Sequence, residues 1–396
     1  MTAVATAFRA ELAAVLGDRQ VRMIVLLALV IYALIYPLPY RAELLRDVPV
    51  VLVDQDGSTA SADLARRVDA SEAVALTHRA PDMAEATRLV HERRAYGVML
   101  IPDGFERALL RGDQSPVALY ADASYFLMYQ RVMQGAAVPL RQMGAEIEAG
   151  RLIAQGTPRA VATAQVSPAN QIEVPLFNPA AGYATYVLPA AFVLILQQTM
   201  LMGLALAATR RGPLPGHPVW QLMGRAGAWL AIWAGLLPLY LIVLPVLYGL
   251  PILGNPGALM MLGLPFLLAT GLLAQLVAAL FRRGEVVQVV LLALGLPFFF
   301  LSGFAWPVEA IPAHLNAVAQ LIPSTAAIDG LVRVAQMGAT LPEIAQILWH
   351  LWALTALLGG AVLIVEALVL RETTPRAAQK GAAEGLLGNR GSQPSE

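Results

Sequence analysis

The chain has 396 residues, of which 58% are hydrophobic and only 14% are charged. A soluble domain of this length carries more charge, so the composition indicates an integral membrane protein. The formal net charge is +0, which gives no sign of the basic surface that nucleic-acid binding requires. The sequence contains no cysteine, and this excludes disulfides, thiolate catalysis and cysteine-ligated metal sites.

Residues 1–40 predict a short interfacial helix on the cytoplasmic side followed by the first transmembrane helix. One helical face of the first segment carries Phe8, Leu12, Val15 and Leu16. That spacing is typical of a helix lying on the membrane surface, although a plain helical lead-in to the span is the alternative. Residues 21–40 are apolar, and roughly 20 helical residues cross the hydrocarbon core of a bilayer. No small-residue cleavage site follows, so we expect an uncleaved anchor rather than a signal peptide.

Residues 41–180 are richer in charge than the rest of the chain. The runs VPVVLVD (48–54) and YGVMLI (96–101) are typical of strands, and helix-like segments alternate with them. This alternation predicts an α/β domain inserted between transmembrane helices 1 and 2. A long amphipathic helix is expected over 125–155, followed by an extended proline-rich return over 157–179. With one span before it, the domain is expected to be extracytoplasmic.

No catalytic constellation is visible in this domain. Its strand ends and turns carry Asp54, Asp56, Asp103 and Asp122, and its two histidines, His78 and His91, are isolated. Aspartate after a strand more often serves turn geometry than catalysis. The domain is therefore interpreted as a binding or docking module, and the chain as a non-enzyme.

The remaining apolar runs predict five more spans within residues 181–372. They cover 183–207, 226–250, 258–281, 286–301 and 347–370. Arginines cluster in alternate connections, which places both termini in the cytoplasm by the positive-inside rule. The predicted fold is an α-helical membrane protein with six transmembrane helices. The tail, residues 373–396, is rich in small and polar residues and is expected to be disordered and cytoplasmic.

Three glutamines interrupt the apolar spans. Gln197 and Gln198 lie in the second span and Gln275 in the fourth. A side-chain amide in lipid is unfavourable without a partner, so these side chains are expected to face other helices or a substrate pathway. Helix packing is the favoured role. No ladder of intramembrane acids is present, which argues against a proton-coupled carrier.

The fifth apolar run ends in a distinctive shoulder. It reads VVQVVLLALGLPFFFLSGFAWPVEAIP over residues 286–312 and contains Ser302, Gly303, Phe304, Pro307 and Pro312. This pattern resembles the fifth-helix motif of type-2 ATP-binding-cassette (ABC) transporter permeases. Three further stretches are similar to that family: VLVDQDGS (51–58), the segment YGVMLIPDGFERALLRG (96–112), and FNP (177–179) leading into YVLPAAFVLILQQT (186–199).

The resemblance implies an exporter driven by a separate ATP-binding subunit, which would hold ATP and magnesium. This sequence has no G-x-x-x-x-G-K-[ST] loop, and its one lysine is Lys380. The family implies a second permease, a homodimer or a sister chain, with membrane lipids around it. A periplasmic adaptor is a further candidate partner, and no cofactor is expected on this chain. The inserted domain is more similar to the multidrug or small-amphiphile branch than to the polysaccharide branch.

The resemblance also implies which turns meet the ATPase. The coupling candidates are Arg210, Arg211, Gly212, Arg225, Arg282, Arg283 and Glu285. Many members carry an acidic-Gly-Thr core after the second span, and the stretch ATRRGPLPGHPVWQL (208–222) lacks it. On this basis we expect Arg211→Glu or Glu285→Arg to lower transport without affecting membrane insertion.

Other classes of membrane protein fit the sequence less well. A receptor with an extracytoplasmic ligand-binding domain is the leading alternative, but no cytoplasmic output domain is visible. A secondary carrier would be expected to show intramembrane acids or an internal repeat. A membrane enzyme would need a catalytic constellation, and none is found.

Overall fold

The computed structural model describes residues 2–40, 43–169, 174–212 and 214–388, with backbone alone from 369 onward. The chain divides into two compact units. The helical unit comprises Met1–Glu43 and Leu176–Glu396, and the α/β unit comprises Leu44–Pro175. The second unit is thus inserted in the sequence between the first two long apolar helices.

The helical unit contains five helices that are long and apolar enough to cross a membrane. We label them α2 (Arg19–Tyr40), α8 (Tyr183–Arg210), α9 (Pro218–Leu247), α10 (Pro256–Phe281) and α14, of which Ala345–Leu368 is the apolar part. The helix α11 (Gly284–Phe300) is also apolar but has only 17 residues. These helices make the chain a multi-pass membrane protein.

A bent helix pair lies between α11 and α14. The helices α12 (Ala313–Ala319) and α13 (Pro323–Ala335) meet at 85°, and together they are either a broken span or a re-entrant loop. Pro323 at the start of α13 explains the break, because proline cannot continue the preceding helix. The spans predicted from the sequence include neither of these helices.

The first helix, α1 (Thr2–Gly17), packs against α9. Its buried residues are Ala7, Glu11 and Val15, which recur every four positions along one stripe. The apolar face predicted from the sequence coincides only in part with this packed face. Its member Val15 is buried, whereas its member Leu16 is exposed. Asp18 ends the turn after α1 and caps α2, accepting hydrogen bonds from the N–H groups of Gln20 (2.8 Å) and Val21 (3.2 Å).

Aromatic side chains fill the centre of the helical unit. Trp229, Trp233 and Tyr240 of α9 are fully buried, as is Phe192 of α8. The Tyr240 hydroxyl donates to the carbonyl of Leu29 in α2, next to the π-helical turn Met23–Leu27. These contacts fix α9 between the first two spans.

The α/β unit is built on a four-stranded sheet of order β2-β1-β3-β4. Its strands are β1 (Val48–Asp54), β2 (Val74–Arg79), β3 (Gly97–Ile101) and β4 (Ala118–Ala121). β1 runs parallel to β2 and β3, whereas β3 and β4 are antiparallel. Two crossover helices join the parallel strands, which confirms that strands and helices alternate here.

Both faces of this sheet are covered. The helices α3 (Thr59–Asp69) and α6 (Phe126–Ala154) pack on the face that carries Val50 and Leu52. The helix α4 (Met83–His91) packs on the face that carries Val51 and Val53. Alternate residues of β1 point to opposite faces, as the pleat of a strand requires. A further short helix, α5 (Phe105–Arg111), follows β3.

The structure differs from the sequence prediction in two segments. Residues 157–179 were predicted to be extended, but they contain the helix α7 (Arg159–Val166). Pro158 directly precedes that helix, where a missing N–H costs nothing, and the following RAVATAQV is a good helical sequence. The tail predicted to be disordered continues α14 as helix to Gly388, and residues 389–396 lie outside the described residues.

Candidate functional site

One end of the helical unit collects most of the arginines near the membrane spans. We call it the arginine end; there α8 ends at Arg210, α9 begins, and α10 passes into α11. Glu11 of α1 lies at this end with an exposed fraction of 0%. A buried carboxylate costs several kcal/mol unless it is paired and hydrogen-bonded. The buried Glu11 carboxylate is therefore expected to have charged or hydrogen-bonding partners.

Two partners hold the Glu11 carboxylate. The Arg211 guanidinium donates to Oε2, and the indole N–H of Trp229 donates to Oε1 at 2.8 Å. Arg211 directly follows α8, and Trp229 lies in α9. One side chain of the first helix thus contacts two other helices of the bundle.

The amide oxygen of Gln275 joins a second arginine to this pair. Gln275 Oε1 accepts from Arg211 Nη2 at 2.9 Å and from Arg225 Nη1 at 3.0 Å. Its Nε2 has no hydrogen-bond partner among the residues that the structure describes. Gln275 was predicted to serve either helix packing or a pathway, and the structure places it between two guanidinium groups.

The chain of contacts ends at Glu366 of α14. Arg225 is 1% exposed and forms a two-point pair with this carboxylate, at 2.8 Å to Oε1 and 3.1 Å to Oε2. We call Glu11, Arg211, Gln275, Arg225 and Glu366 the charge network. Its two carboxylates balance its two guanidiniums, so it is formally neutral while linking α1, the end of α8, α9, α10 and α14.

The other coupling candidates lie on the surface of the same end. Arg210 donates to Asp18 Oδ2 and to Gln20 Oε1, both at 2.6 Å. The hydrogen bond from Arg210 lowers the pKa of Asp18, helped by the N–H of Val21. Gly212, Arg282, Arg283 and Glu285 are exposed. Arg282 adopts a left-handed backbone (φ 58°) as it ends α10.

The predicted coupling residues thus fall into two groups that differ in exposure. Arg225 is buried in the charge network and the Arg211 side chain is 13% exposed there, whereas the remaining candidates are exposed. Whether any of them contacts an ATPase stays a prediction. The sequence missed Glu11 and Trp229 as site residues; the available signal was an acid flanked at four-residue spacing by Ala7 and Val15.

The other two glutamines bind neighbouring helices. Gln197 Oε1 accepts from the N–H of Ser324 at 2.7 Å, at the start of α13. Gln198 Nε2 donates to the carbonyl of Leu291 in α11 at 2.9 Å. These contacts fit the packing role that was favoured from the sequence.

The Ser-Gly-Phe motif forms a tight turn after α11. Ser302 Oγ donates to the carbonyl of Phe299 at 2.6 Å, and Gly303 has a left-handed backbone with φ 76°. Any side chain at Gly303 would meet Val308, since an added Cβ would lie 2.6 Å from its Cγ2. Pro307 and Pro312 precede the short 3₁₀ helix Val308–Ala310 and α12, respectively.

A comparison with protein families identifies the family of this chain. A family model described as "ABC-2 family transporter protein" matches residues 19–364, most of the chain. The chain belongs to the ABC-2 transporter family. No curated protein matches it. As an ABC-2 permease, the chain is the membrane-spanning subunit of an ABC transporter, and the family implies an ATP-binding partner and a dimeric arrangement.

In this ABC-2 permease, the family match also covers the α/β unit between the first two spans. Within the described residues, no group of three or more His, Cys, Asp or Glu is arranged to hold a metal ion. Three members of the charge network, Glu11, Arg225 and Gln275, are buried.

Proposed function

We propose that this chain is the permease of an ATP-driven exporter that moves a drug-like, lipid-like or other amphiphilic substrate out of the cytoplasm or inner membrane. It works with a second permease and with separate ATP-binding subunits, which supply ATP and magnesium. The family match over residues 19–364 is the observation that carries this proposal. The multidrug branch is favoured by the inserted domain of Leu44–Pro175.

The proposed orientation puts the arginine end in the cytoplasm. Arginines flank the spans at this end, and positive charge near spans is retained on the cytoplasmic side. Both termini of the chain then lie in the cytoplasm, and the protein resides in the inner (plasma) membrane. The α/β unit follows the far end of α2 and precedes the far end of α8 in the sequence, and this connectivity supports an extracytoplasmic location. An adaptor is a candidate partner for that unit.

The charge network supports a mechanism for coupling. An ATPase that pushes on the exposed surface around Gly212, Arg282, Arg283 and Glu285 would move the ends of α8 and α10 and the start of α11. Arg211 and Gln275 link those ends to α1, α9 and α14 through hydrogen bonds of 2.9–3.0 Å and the pair with Glu11. Separating buried charges is unfavourable, so these elements would move together.

Purification from the native membrane in a mild detergent tests the proposal. We expect the full-length chain to bring down an ATP-binding subunit that carries a phosphate-cradling loop, in fixed ratio. The matched control is the same purification after the partner's phosphate-loop lysine is replaced, which should retain the complex but abolish ATP hydrolysis. A chain that repeatedly purifies without any ATPase contradicts the proposal and favours a receptor.

A further inference from the structure

A cleft of about 590 Å³ opens in the helical unit at the end opposite the arginine end. It lies between the turn after α11, the helix α13 and the start of α14. Its volume falls in the range of pockets that hold drug-sized molecules. The side chains that line it include Tyr186, Phe304, Val332 and Ile347, together with a set of polar and charged groups.

The charged groups of the cleft are mostly acidic. Glu309, Asp329 and Glu343 supply three carboxylates, whereas Arg333 supplies one guanidinium. Arg333 Nε already donates to Asp329 at 2.8 Å. With His350 neutral, the formal balance of the lining is −2. The hydrogen bonds from the N–H and hydroxyl of Thr340 lower the pKa of Glu343, which keeps that carboxylate ionised.

Three polar side chains of the cleft donate to backbone carbonyls. The Tyr186 hydroxyl donates to Phe304 at 2.7 Å, and Ser302 donates to Phe299 at 2.6 Å. His350 Nε2 lies 2.9 Å from the carbonyl of Gln320, so Nε2 carries the proton. In the neutral ring, Nδ1 is then an acceptor. The N–H or O–H groups of these three side chains that form these hydrogen bonds are therefore not available to a ligand.

Gln336 adds one further acceptor to the cleft. This side chain is 9% exposed and lines the cleft. Its Nε2 donates to the carbonyl of Thr185, which fixes the orientation of the amide. Its Oε1 accepts no hydrogen bond from any residue in the described part of the chain. This oxygen is therefore an acceptor that a donor entering the cleft can reach.

We propose that this cleft binds the protonated amine of an amphiphilic organic cation. The ammonium would donate to Gln336 and be balanced by Glu309 and Glu343. The rings of Tyr186 and Phe304, whose centroids are 4.8 Å apart, would contact its apolar body. Gln320, Gln346 and Arg333 are lining groups that carry N–H donors; Gln320 Nε2 donates to Asn316 at 3.3 Å and Arg333 Nε to Asp329 at 2.8 Å. Only the interpretation of the bound amine as a transported substrate rests on the proposed export function; the binding itself does not.

Two fluorescent probes that differ in one charge test this. Dansylcadaverine carries a primary ammonium, and its N-acetyl derivative is neutral. Binding to the purified full-length chain in detergent is measured by fluorescence anisotropy, with protein-free micelles as the blank. We expect the amine to bind at least tenfold more tightly than the acetylated probe. Equal affinities would overturn the proposal.

Variants locate the site. In the double variant Glu309→Gln with Glu343→Gln, amine affinity should fall by about fivefold, as expected for losing two partly screened ion pairs, and the acetylated probe should be unaffected. Glu148→Gln in the α/β unit is the matched control and should behave as wild type. An unchanged amine affinity in the double variant also overturns the proposal. Because no ATPase is present, this result is independent of whether an ATPase co-purifies.

Discussion

Arg225 and Glu366 form a two-point pair, with Nη1 2.8 Å from Oε1 and Nη2 3.1 Å from Oε2. The pair joins α9 to α14 across 141 positions of sequence. Paired oxygens and nitrogens in this geometry give a guanidinium–carboxylate contact both strength and direction. It forms one end of the charge network, so the stability of the arginine end should depend on it.

A double-mutant cycle on this pair should show strong coupling. We expect Arg225→Met and Glu366→Gln each to destabilise the protein, because each leaves a charge unpaired in a largely buried place. The double variant should be more stable than the sum of the two losses predicts, with a coupling energy of about 1–3 kcal/mol. Thermal unfolding in detergent, followed by tryptophan fluorescence, measures all four proteins. Additive losses would show that the two side chains do not interact.

Removing Glu11 should damage the network from its other end. Glu11→Ala leaves the Arg211 guanidinium and the Trp229 N–H without their partner, and we expect a loss of about 3–5 kcal/mol. Glu11→Gln keeps an oxygen for Trp229 and should lose less. Unfolding midpoints of both variants check the order. If the alanine variant is as stable as wild type, the buried carboxylate is not a structural centre.

Two glycines of α9 offer a matched test of how α1 packs. A Cβ added at Gly224 would lie 2.7 Å from Ala7 Cβ, whereas one at Gly235 would meet nothing within 4 Å. We expect Gly224→Ala to destabilise the protein by about 1–3 kcal/mol through overpacking. Gly235→Ala should be neutral or stabilising by up to about 1 kcal/mol, since alanine is the better helix former. Limited proteolysis of α1 gives the readout. Equal cleavage in both variants would contradict the close packing.

The exposed coupling candidates should act on the ATPase and leave the fold intact. Arg283→Glu and Glu285→Arg change charge at the surface and should alter stability by less than about 0.5 kcal/mol. We expect both to lower ATP hydrolysis by the co-purified complex, with Arg151→Glu in the α/β unit as the control. Wild-type hydrolysis in both variants would remove this surface from the proposed contact.

The structure changes the expectation for Arg211. The sequence suggested that Arg211→Glu would lower transport and leave insertion intact. Arg211 instead pairs with buried Glu11, so the substitution places two carboxylates together where like charges repel. We now expect this variant to fold poorly, and a combined Glu11→Arg and Arg211→Glu exchange to recover part of the loss. Protein yield after solubilisation measures the recovery.

Local patterns in the sequence were enough to predict most elements of the fold. A short run of apolar, mostly β-branched residues marks β1, and apolar length marks the spans, because both signals depend on neighbouring residues. Glu11 and Trp229 are 218 positions apart, so no local pattern reveals their contact. Arg211 and Arg225 were predicted as coupling residues because they are charges near spans. The extent of their burial depends on how the helices pack. The helix Arg159–Val166 was not predicted, because the prolines around it favour an extended chain. The alanine-rich run between those prolines is nevertheless helical.

ATP-driven transport in inverted membrane vesicles tests the central claim most directly. Vesicles containing this chain and its co-purifying ATPase should accumulate an amphiphilic fluorescent amine when ATP and magnesium are added. Vesicles with the ATPase's phosphate-loop lysine replaced should show no accumulation. Accumulation that continues with the inactive ATPase, or none with the active one for any amphiphile offered, would contradict the account of this chain as the permease of an ATP-driven exporter.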